Sequence, residues 1–266
     1  MIMKKIIIVA LISGLFLIAC KSVRKKTEEI QNKNEWVSLL DENSLKGWVV
    51  KITRQPLGEN YKNTFQVQNG VLSVDYDAYD NFNDSFGHIF YDKEYSDYKF
   101  RMEYRFTGEQ LAGGGNWAKR NSGIMVHCEN PRQMGIDQKF PVSLEVQLLG
   151  GLGDGERTTG NVCTPGTHVV IDGELIKKHC VDSNSKTYDG DQWVKVEVEV
   201  RNDSIIKHYI NNELVLEYAN FEVGGKVDAN KELWQSKEGK PLSKGFISLQ
   251  SESHPCEFRN IEIMEL

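Results

Sequence analysis

The sequence NSGIMVH at residues 121–127 and the sequence SLEVQLL at residues 143–149 decide the fold prediction, because both alternate apolar with polar residues. Successive side chains of a strand point to opposite faces of a sheet, so each run predicts a strand with one dry and one polar face. The dry positions are Ile124, Val126, Leu144, Val146 and Leu148. The polar face would carry Asn121, Met125, His127, Ser143, Glu145 and Gln147. This mixture suits a hydrogen-bonding ligand such as a sugar, although an exposed face with scattered polar residues gives the same pattern.

Length and composition favour one large soluble domain. The chain has 266 residues, of which 39% are hydrophobic and 26% are charged. All-β sandwiches of this size commonly form a single unit with one core. The formal net charge is −6, and the sequence contains no basic stripe, so a nucleic-acid partner is not expected.

The first twenty residues have the features of an export signal. Lys4 and Lys5 precede an apolar run over residues 6–16, and the sequence LIAC ends the segment at Cys20. This resembles a bacterial lipoprotein signal, cut before Cys20, whose thiol then carries lipid; a transmembrane helix or a plain secretory signal is the alternative. We therefore expect a signal peptide over 1–20, a tether over 21–35 and the folded domain over 36–266. The lipid would anchor the protein to a membrane of the cell envelope, expected to be the outer membrane, on its periplasmic or surface face.

Four further cysteines follow, an even number in an exported and oxidising setting. The sequence VVIDGELI at residues 169–176 predicts a hairpin with its turn at Asp172-Gly173. A hairpin brings its ends together, so we predict a Cys163–Cys180 disulfide, which leaves Cys128 to pair with Cys256. The chain has no Cys-x-x-Cys pair, which disfavours a thiolate metal site.

Further short strands and turns occupy the rest of the domain. Asn69-Gly70 and Asn211-Asn212 each separate two alternating runs, which predicts two more hairpins. Residues 98–106 alternate as well, and no segment after residue 30 shows a helical repeat over a dozen residues. The prediction is an all-β sandwich of two antiparallel sheets, and a curved jelly roll of this kind would offer a concave face to a sugar.

These pieces, in their order and spacing over residues 36–266, resemble the 3-keto-disaccharide hydrolase family of exported bacterial proteins. The resemblance rests on Leu39-Leu40, Gly47-Trp48, residues 121–124, Glu145-Val146-Gln147, residues 160–162, Trp193, Asn211-Asn212, residues 245–250 and residues 257–261. It implies a concanavalin-like jelly roll and an enzyme that cleaves glycosides already oxidised to a ketone at C3. Such a ketone acidifies the C2 hydrogen. A base can then remove it, the enolate can expel the C1 substituent, and water can add afterwards.

This chemistry needs a base, a group that polarises the ketone and a proton donor for the leaving oxygen. Glu145 is the predicted base, and His127 is predicted to polarise the ketone or assist the leaving group. The predicted substrate-binding residues are Asn121, Gln147, Arg157, His168, His254 and Trp117. For each histidine, a structural hydrogen-bonded role is the alternative. His127, Glu145 and one loop histidine could also hold a divalent metal, and the sequence leaves that question open.

Two other functions compete with this hypothesis. Laminarinase-type glycosidases share the jelly roll and use a Glu-x-Asp-x-x-Glu pattern, of which this chain keeps Glu145 but has Gln147 and Gly150 at the other positions. Retaining hydrolysis needs two carboxyl groups roughly 5 Å apart, so this mechanism is disfavoured. The main alternative is a noncatalytic carbohydrate-binding lipoprotein that uses the same groove, with Trp117 or Trp234 as a stacking platform.

Overall fold

The computed structural model describes residues 34–266, which form seventeen strands and one short helix. The predicted signal peptide, Cys20 and the tether up to residue 33 lie outside the described residues. The strands are β1 (Val37–Ser38), β2 (Trp48–Ile52), β3 (Phe65–Gln68), β4 (Val71–Val74), β5 (Gly87–Tyr95), β6 (Asp97–Phe106), β7 (Asn121–Cys128), β8 (Leu144–Leu149), β9 (Asn161–Cys163), β10 (Thr167–Ile171), β11 (Glu174–Ile176), β12 (Cys180–Val181), β13 (Val194–Arg201), β14 (Ile205–Ile210), β15 (Glu213–Val223), β16 (Gly245–Ser251) and β17 (Cys256–Glu265).

Within residues 34–266, helical structure is confined to short connections. Helix α1 spans Lys231–Gln235, and single 3-10 turns occupy Tyr61–Asn63, Asn116–Ala118 and Pro131–Gln133. None of the helices within residues 34–266 has the length and apolar character that a membrane crossing requires.

Two antiparallel sheets build the domain, which confirms the predicted all-β jelly-roll sandwich. The ten-stranded sheet has the order β11-β10-β15-β14-β13-β6-β17-β4-β3, and β1 pairs additionally with β17. The seven-stranded sheet has the order β12-β9-β8-β7-β16-β5-β2. Neighbours in these orders are often far apart in sequence, so the sheets are held by long-range pairing.

The core fills the space between the two sheets. From the seven-stranded sheet it receives the five predicted dry residues of β7 and β8, all of them fully buried. From β6 of the other sheet it receives Phe100, Met102, Tyr104 and Phe106. Burying an aliphatic or aromatic side chain of this size stabilises the fold by roughly 1.5–3 kcal/mol. The period-2 pattern therefore identified the inward faces correctly.

The three predicted hairpin turns are present, and each has the left-handed backbone that a two-residue turn requires. The φ angles are 51° and 72° at Asn69-Gly70, 52° and 83° at Asp172-Gly173, and 48° and 68° at Asn211-Asn212. Asn, Asp and Gly tolerate this region at little cost, which explains why these dipeptides predicted the turns.

One of the two predicted disulfides is confirmed. Cys163 of β9 lies opposite Cys180 of β12, and the two are bonded. The second predicted bridge is wrong, because Cys128 and Cys256 are free and lie on opposite sides of the seven-stranded sheet. Cys128 packs with Phe90, Met125 and Phe246 on the outer face, whereas Cys256 belongs to the core between the sheets.

Candidate active site

A pocket of about 630 Å³ opens on the outer face of the seven-stranded sheet. The side chains on its floor alternate with core residues along β7, β8, β9 and the end of β16. These floor residues are Asn121, Glu145, Gln147, Cys163 and Glu252. The apolar wall consists of Trp117, Phe140, Val142, Pro165, Val227 and the Cys163–Cys180 disulfide. The mouth carries the charged or titratable residues His168, Lys177, His179, Lys226 and Asp228.

Gly123 makes room for the central carboxylate of the floor. It lies on β7 opposite Gln147, and its neighbour Met125 lies opposite Glu145. A Cβ atom at Gly123 would lie only 2.8 Å from Glu145 Oε1. The Glu145 side chain therefore lies across the glycine, in space that any other residue would fill.

A second carboxyl group reaches the same floor from β16. Leu249 lies opposite Ile124 in the core-facing register, so Gln250 and then Glu252 project toward the outer face. Extending this register places Glu252 beside Asn121. Glu252 and Glu145 are 2% and 6% exposed, respectively, and both line the pocket.

Burial perturbs both carboxyl groups strongly. It raises the pKa of Glu145 to about 8. Burial also raises the pKa of Glu252 well above its usual range, and the neighbouring Glu145 charge adds to this effect. At neutral pH the pair therefore retains protons that exposed carboxylates would lose. Two neighbouring carboxyl groups in this condition can divide the roles of acid and base.

Several buried polar atoms on this face lack a hydrogen-bond partner within residues 34–266. They are Asn121 Oδ1, Glu252 Oε2, His88 Nε2 and both amide atoms of Gln250. Leaving one such atom unpaired costs about 1–3 kcal/mol. Two of these atoms, Asn121 Oδ1 and Glu252 Oε2, belong to residues that line the pocket, where a polar ligand could pair with them. In contrast, the Gln147 amide is already fixed, because its Oε1 accepts a 3.1 Å hydrogen bond from Asn161 Nδ2.

Five of the eight sequence-predicted site residues line this pocket: Glu145, Asn121, Gln147, His168 and Trp117. Trp117 is 57% exposed and stacks on Phe86 with ring centroids 6.1 Å apart. His168 packs tightly against Gly224, where a Cβ would lie 2.4 Å from His168 Nδ1. The chemical roles assigned to these residues stay predictions.

The placement of His127 beside Glu145 is wrong. His127 has a φ of 49°, and the β7–β16 register shifts at this point, so a bulge reverses the alternation. The imidazole consequently points into the space between the sheets, 5.4 Å from the ring of Phe221. Its Nε2 lies 2.8 Å from the carbonyl oxygen of Asn202. Burial lowers the pKa of His127, as expected for a neutral core histidine.

The predicted rim positions of Arg157 and His254 are also wrong, because neither residue lines the pocket. Arg157 Nη1 donates to the carbonyl oxygens of Gly150 and Arg120, at 2.6 and 3.2 Å. The His254 side chain is buried, and the centroid of its ring lies 5.7 Å from that of Phe106. Burial, reinforced by the charges of Arg120 and Lys119, lowers the pKa of His254 to about 4. Both residues thus belong to the end of the sandwich, beyond the pocket floor.

The hypothetical metal ligands are not brought together. His127 and Glu145 lie on opposite faces of the seven-stranded sheet, so they cannot share one ion. No group of three or more His, Cys, Asp and Glu side chains within the described residues has an arrangement suited to a metal.

Sequence reasoning missed Glu252, which lines the pocket. The signal was the alternation of Phe246, Ser248 and Gln250 along β16, which continues to Glu252, the residue directly after the strand. What the sequence did not reveal is that β16 pairs with β7, which is more than a hundred residues earlier in the chain.

Fold and site together define a class of protein: a two-sheet jelly roll with a buried carboxyl pair in a polar pocket on one sheet. Residues 35–264 match the family model of the 3-keto-alpha-glucoside-1,2-lyase-like domain. The chain therefore belongs to this family, which confirms the resemblance found in the sequence.

Solved structures share the fold at low sequence identity. Two are from Parabacteroides distasonis ATCC 8503, and their names assign them provisionally to the glycosyl hydrolases. The first is 17% identical, covers 88% of this chain and 100% of its own, and has a TM-score of 0.53. The second is also 17% identical, covers 88% and 95%, and has a TM-score of 0.52. LamAcat from Zobellia galactanivorans is 7% identical, covers 88% and 98%, and has a TM-score of 0.50. No curated protein matches the chain.

Proposed function

We propose that this protein cleaves 3-keto-glycosides by removing the C2 proton and eliminating the C1 substituent. The observation that carries the proposal is the buried pair of Glu145 and Glu252 on the pocket floor, with the unpaired Asn121 Oδ1 on the same floor. The family name, which describes a 3-keto-glucoside lyase, supports the same type of reaction. Whether water then adds to the product decides between a lyase and a hydrolase outcome.

Glu145 is the proposed base. In its ionised form it takes the C2 proton, and the C2–H electron pair forms the enolate of the C3 ketone. A general base works best when its pKa lies near the working pH. Burial gives Glu145 a pKa of about 8, which is much closer to neutral pH than that of an ordinary glutamate.

Glu252 and Asn121 would interact with two oxygen atoms of the substrate, the leaving oxygen on C1 and the ketone oxygen on C3. The enolate collapses to restore the C3 carbonyl, a double bond forms between C1 and C2, and the C1–O bond breaks. Protonated Glu252 then gives its proton to the departing oxygen, which leaves as an alcohol. The Asn121 amide can donate a hydrogen bond to the ketone oxygen, where the negative charge develops. The high pKa of Glu252 keeps the required proton in place.

A noncatalytic carbohydrate-binding function is the second candidate, because Trp117 is exposed beside the pocket. An exposed indole is a common platform for the apolar face of a sugar. Such a protein would bind sugars through the same pocket but would need neither carboxyl group in a particular protonation state.

The test is incubation of the purified protein with phenyl 3-keto-glucoside and, separately, with unoxidised phenyl glucoside. Phenol release is followed with and without a chelator. The proposal expects release from the 3-keto substrate alone. Equal release from both substrates would indicate ordinary glycoside hydrolysis, and binding without release from either would favour the noncatalytic function. A loss of activity with chelator would identify a metal requirement.

We also propose that Cys20 carries the lipid anchor, because the sequence before it resembles a lipoprotein signal. Labelled palmitate should be incorporated into the wild-type chain in bacterial cells and not into Cys20→Ala. Equal labelling of the two chains would contradict the anchor.

A further inference from the structure

The mouth of the pocket differs in charge from the molecule as a whole. The chain has a formal net charge of −6, yet four basic or titratable nitrogen-bearing side chains line the pocket: His168, Lys177, His179 and Lys226. Asp228 is the acidic side chain at the mouth, and its Oδ2 already accepts the backbone N–H of Phe140 at 3.2 Å. Lys177 and Lys226 bring two ammonium groups to the mouth, which a pocket for a neutral sugar does not need.

The two lysines at the mouth have no carboxylate partner among residues 34–266. Some other surface lysines have one, since Lys139, Lys207 and Lys244 form ion pairs at 2.8, 3.0 and 2.8 Å, whereas others in the described part of the chain, such as Lys178, do not line the pocket and are unpaired as well. Lys177 and Lys226 are exposed and keep their ammonium groups available. An anion that enters the pocket would therefore find unpaired cations.

The segments that carry these cations are fixed in place. The Cys163–Cys180 disulfide ties the strand beside Lys177 and His179 to the pocket floor. On the other side, Gly225 has a φ of 78°, which turns the chain before Lys226. Gly224 allows His168 to pack against the same turn. The segments that carry Lys177 and Lys226 are therefore held in place on two sides of the pocket mouth.

The pocket floor and mouth place different demands on a ligand. The floor holds the buried carboxyl pair, which has no cation beside it within the described residues to bind an anion, and the mouth lies where a second substituent of the ligand would extend. A volume of about 630 Å³ leaves space for more than the reacting ring.

We infer that the substrate carries an anionic group, a carboxylate or a sulfate, which the basic mouth binds while the keto ring lies over Glu145 and Glu252. This inference rests on the proposed function for the identity of the ring. It names the substrate class as acidic 3-keto-glycosides. The anion interacts with Lys177 and Lys226 as point charges at a partly exposed site, so its contribution depends on salt.

The test measures binding, without turnover. Calorimetry compares phenyl glucoside, phenyl glucuronide and phenyl glucoside 6-sulfate at about 20 mM and about 500 mM NaCl. The inference expects at least one anionic ligand to bind roughly 5- to 10-fold more tightly than the neutral one at low salt, with most of the advantage lost at high salt. The two anionic ligands distinguish a carboxylate from a sulfate.

A matched pair of variants assigns the effect to the mouth. The double variant Lys177→Gln/Lys226→Gln should lose the preference for the anion, whereas Lys178→Gln, at the adjacent exposed position that does not line the pocket, should keep it. Equal affinity for all three ligands, no binding of any, or equal effects of both variants overturns the inference. Phenol release from 3-keto substrates is measured separately. A protein that binds anions selectively but releases no phenol refutes the proposed function alone, and one that releases phenol without charge preference refutes this inference alone.

Discussion

The outer faces of the two sheets follow the same alternating pattern but treat their charged residues in opposite ways. On the ten-stranded sheet, ionised side chains are paired across neighbouring strands: Arg101 with Glu262 at 2.6 Å, Arg105 with Glu257 at 2.6 Å and Arg259 with Glu103 at 2.5 Å. Trp36 and Trp193 cover these arginines, with guanidinium-to-ring distances of 3.9 to 4.6 Å. On the seven-stranded sheet, Glu145 and Glu252 are buried together without a cation beside them.

The outer face of the ten-stranded sheet has a structural role, and that of the seven-stranded sheet carries the candidate active site. On the outer face of the ten-stranded sheet, called the paired face below, the charged side chains form ion pairs with one another and are partly exposed to water. On the outer face of the seven-stranded sheet, some buried carboxyl and amide atoms have no hydrogen-bond partner among the described residues. This lowers the stability of the fold unless a ligand forms hydrogen bonds with them. Four predictions probe this difference, beginning with the largest expected effect.

Glu145→Gln should reduce the cleavage of 3-keto-glycosides by about 10⁴-fold, because an amide cannot accept the C2 proton. Initial rates of phenol release provide the measurement. Glu103→Gln is the matched control, because it makes the same change on the paired face and should leave the rate within a factor of about two. A Glu145→Gln enzyme with nearly full activity would show that the base lies elsewhere.

Glu252→Gln should reduce the release of a poor leaving group such as methanol by about 10³-fold, because the departing oxygen loses its proton donor. The loss should be much smaller for 4-nitrophenolate, which leaves without protonation. Rates measured for both leaving groups test the assignment. An equal loss for both would mean that Glu252 does not act as the acid.

Stability should depend on pH through Glu145. Its pKa in the folded state is about 8, above the ordinary value of 4.5, so between these values the folded state binds more protons than the unfolded state. The free energy of unfolding should therefore be largest below about pH 4.5 as far as this group is concerned, and fall by roughly 4 kcal/mol as the pH rises to about 8. Urea unfolding at about pH 5 and about pH 8.5 should reveal this loss in the wild type but much less in Glu145→Gln. If the free energy of unfolding depended on pH in the same way in both proteins, the raised pKa of Glu145 would be contradicted.

The smallest effect is expected on the paired face. A double-mutant cycle of Arg105→Gln and Glu257→Gln should give a coupling energy of about 0.5–1 kcal/mol, because both groups are partly exposed. Unfolding at low and high salt should show the coupling shrink as the charges are screened. A coupling of several kcal/mol would remove the proposed distinction between the two faces.

Local patterns in the sequence were sufficient for the strands and turns that depend on local geometry. Asn69-Gly70 specified a turn because few other pairs adopt two successive positive φ angles. Alternation identified the inward residues of β7 and β8, and with them Asn121, Glu145 and Gln147 on the pocket floor. The pairing of Cys163 with Cys180 followed from the hairpin between them.

The errors occurred where a local irregularity or a distant strand intervened. One extra residue in β7 turned His127 away from the pocket, and a period of two cannot reveal a bulge. Cys128 and Cys256 were paired by elimination, but the seven-stranded sheet separates them.

The sequence by itself determined the alternation, the turns, the family and the base candidate Glu145, because each depends on residues that are adjacent or regularly spaced in the chain. Only the tertiary structure decided that Glu252 joins Glu145 and that His127 does not. Strand order brings β16 beside β7, and burial between sheet and loops then sets the protonation of the carboxyl pair. Both effects arise from contacts between distant segments, to which a linear pattern is insensitive.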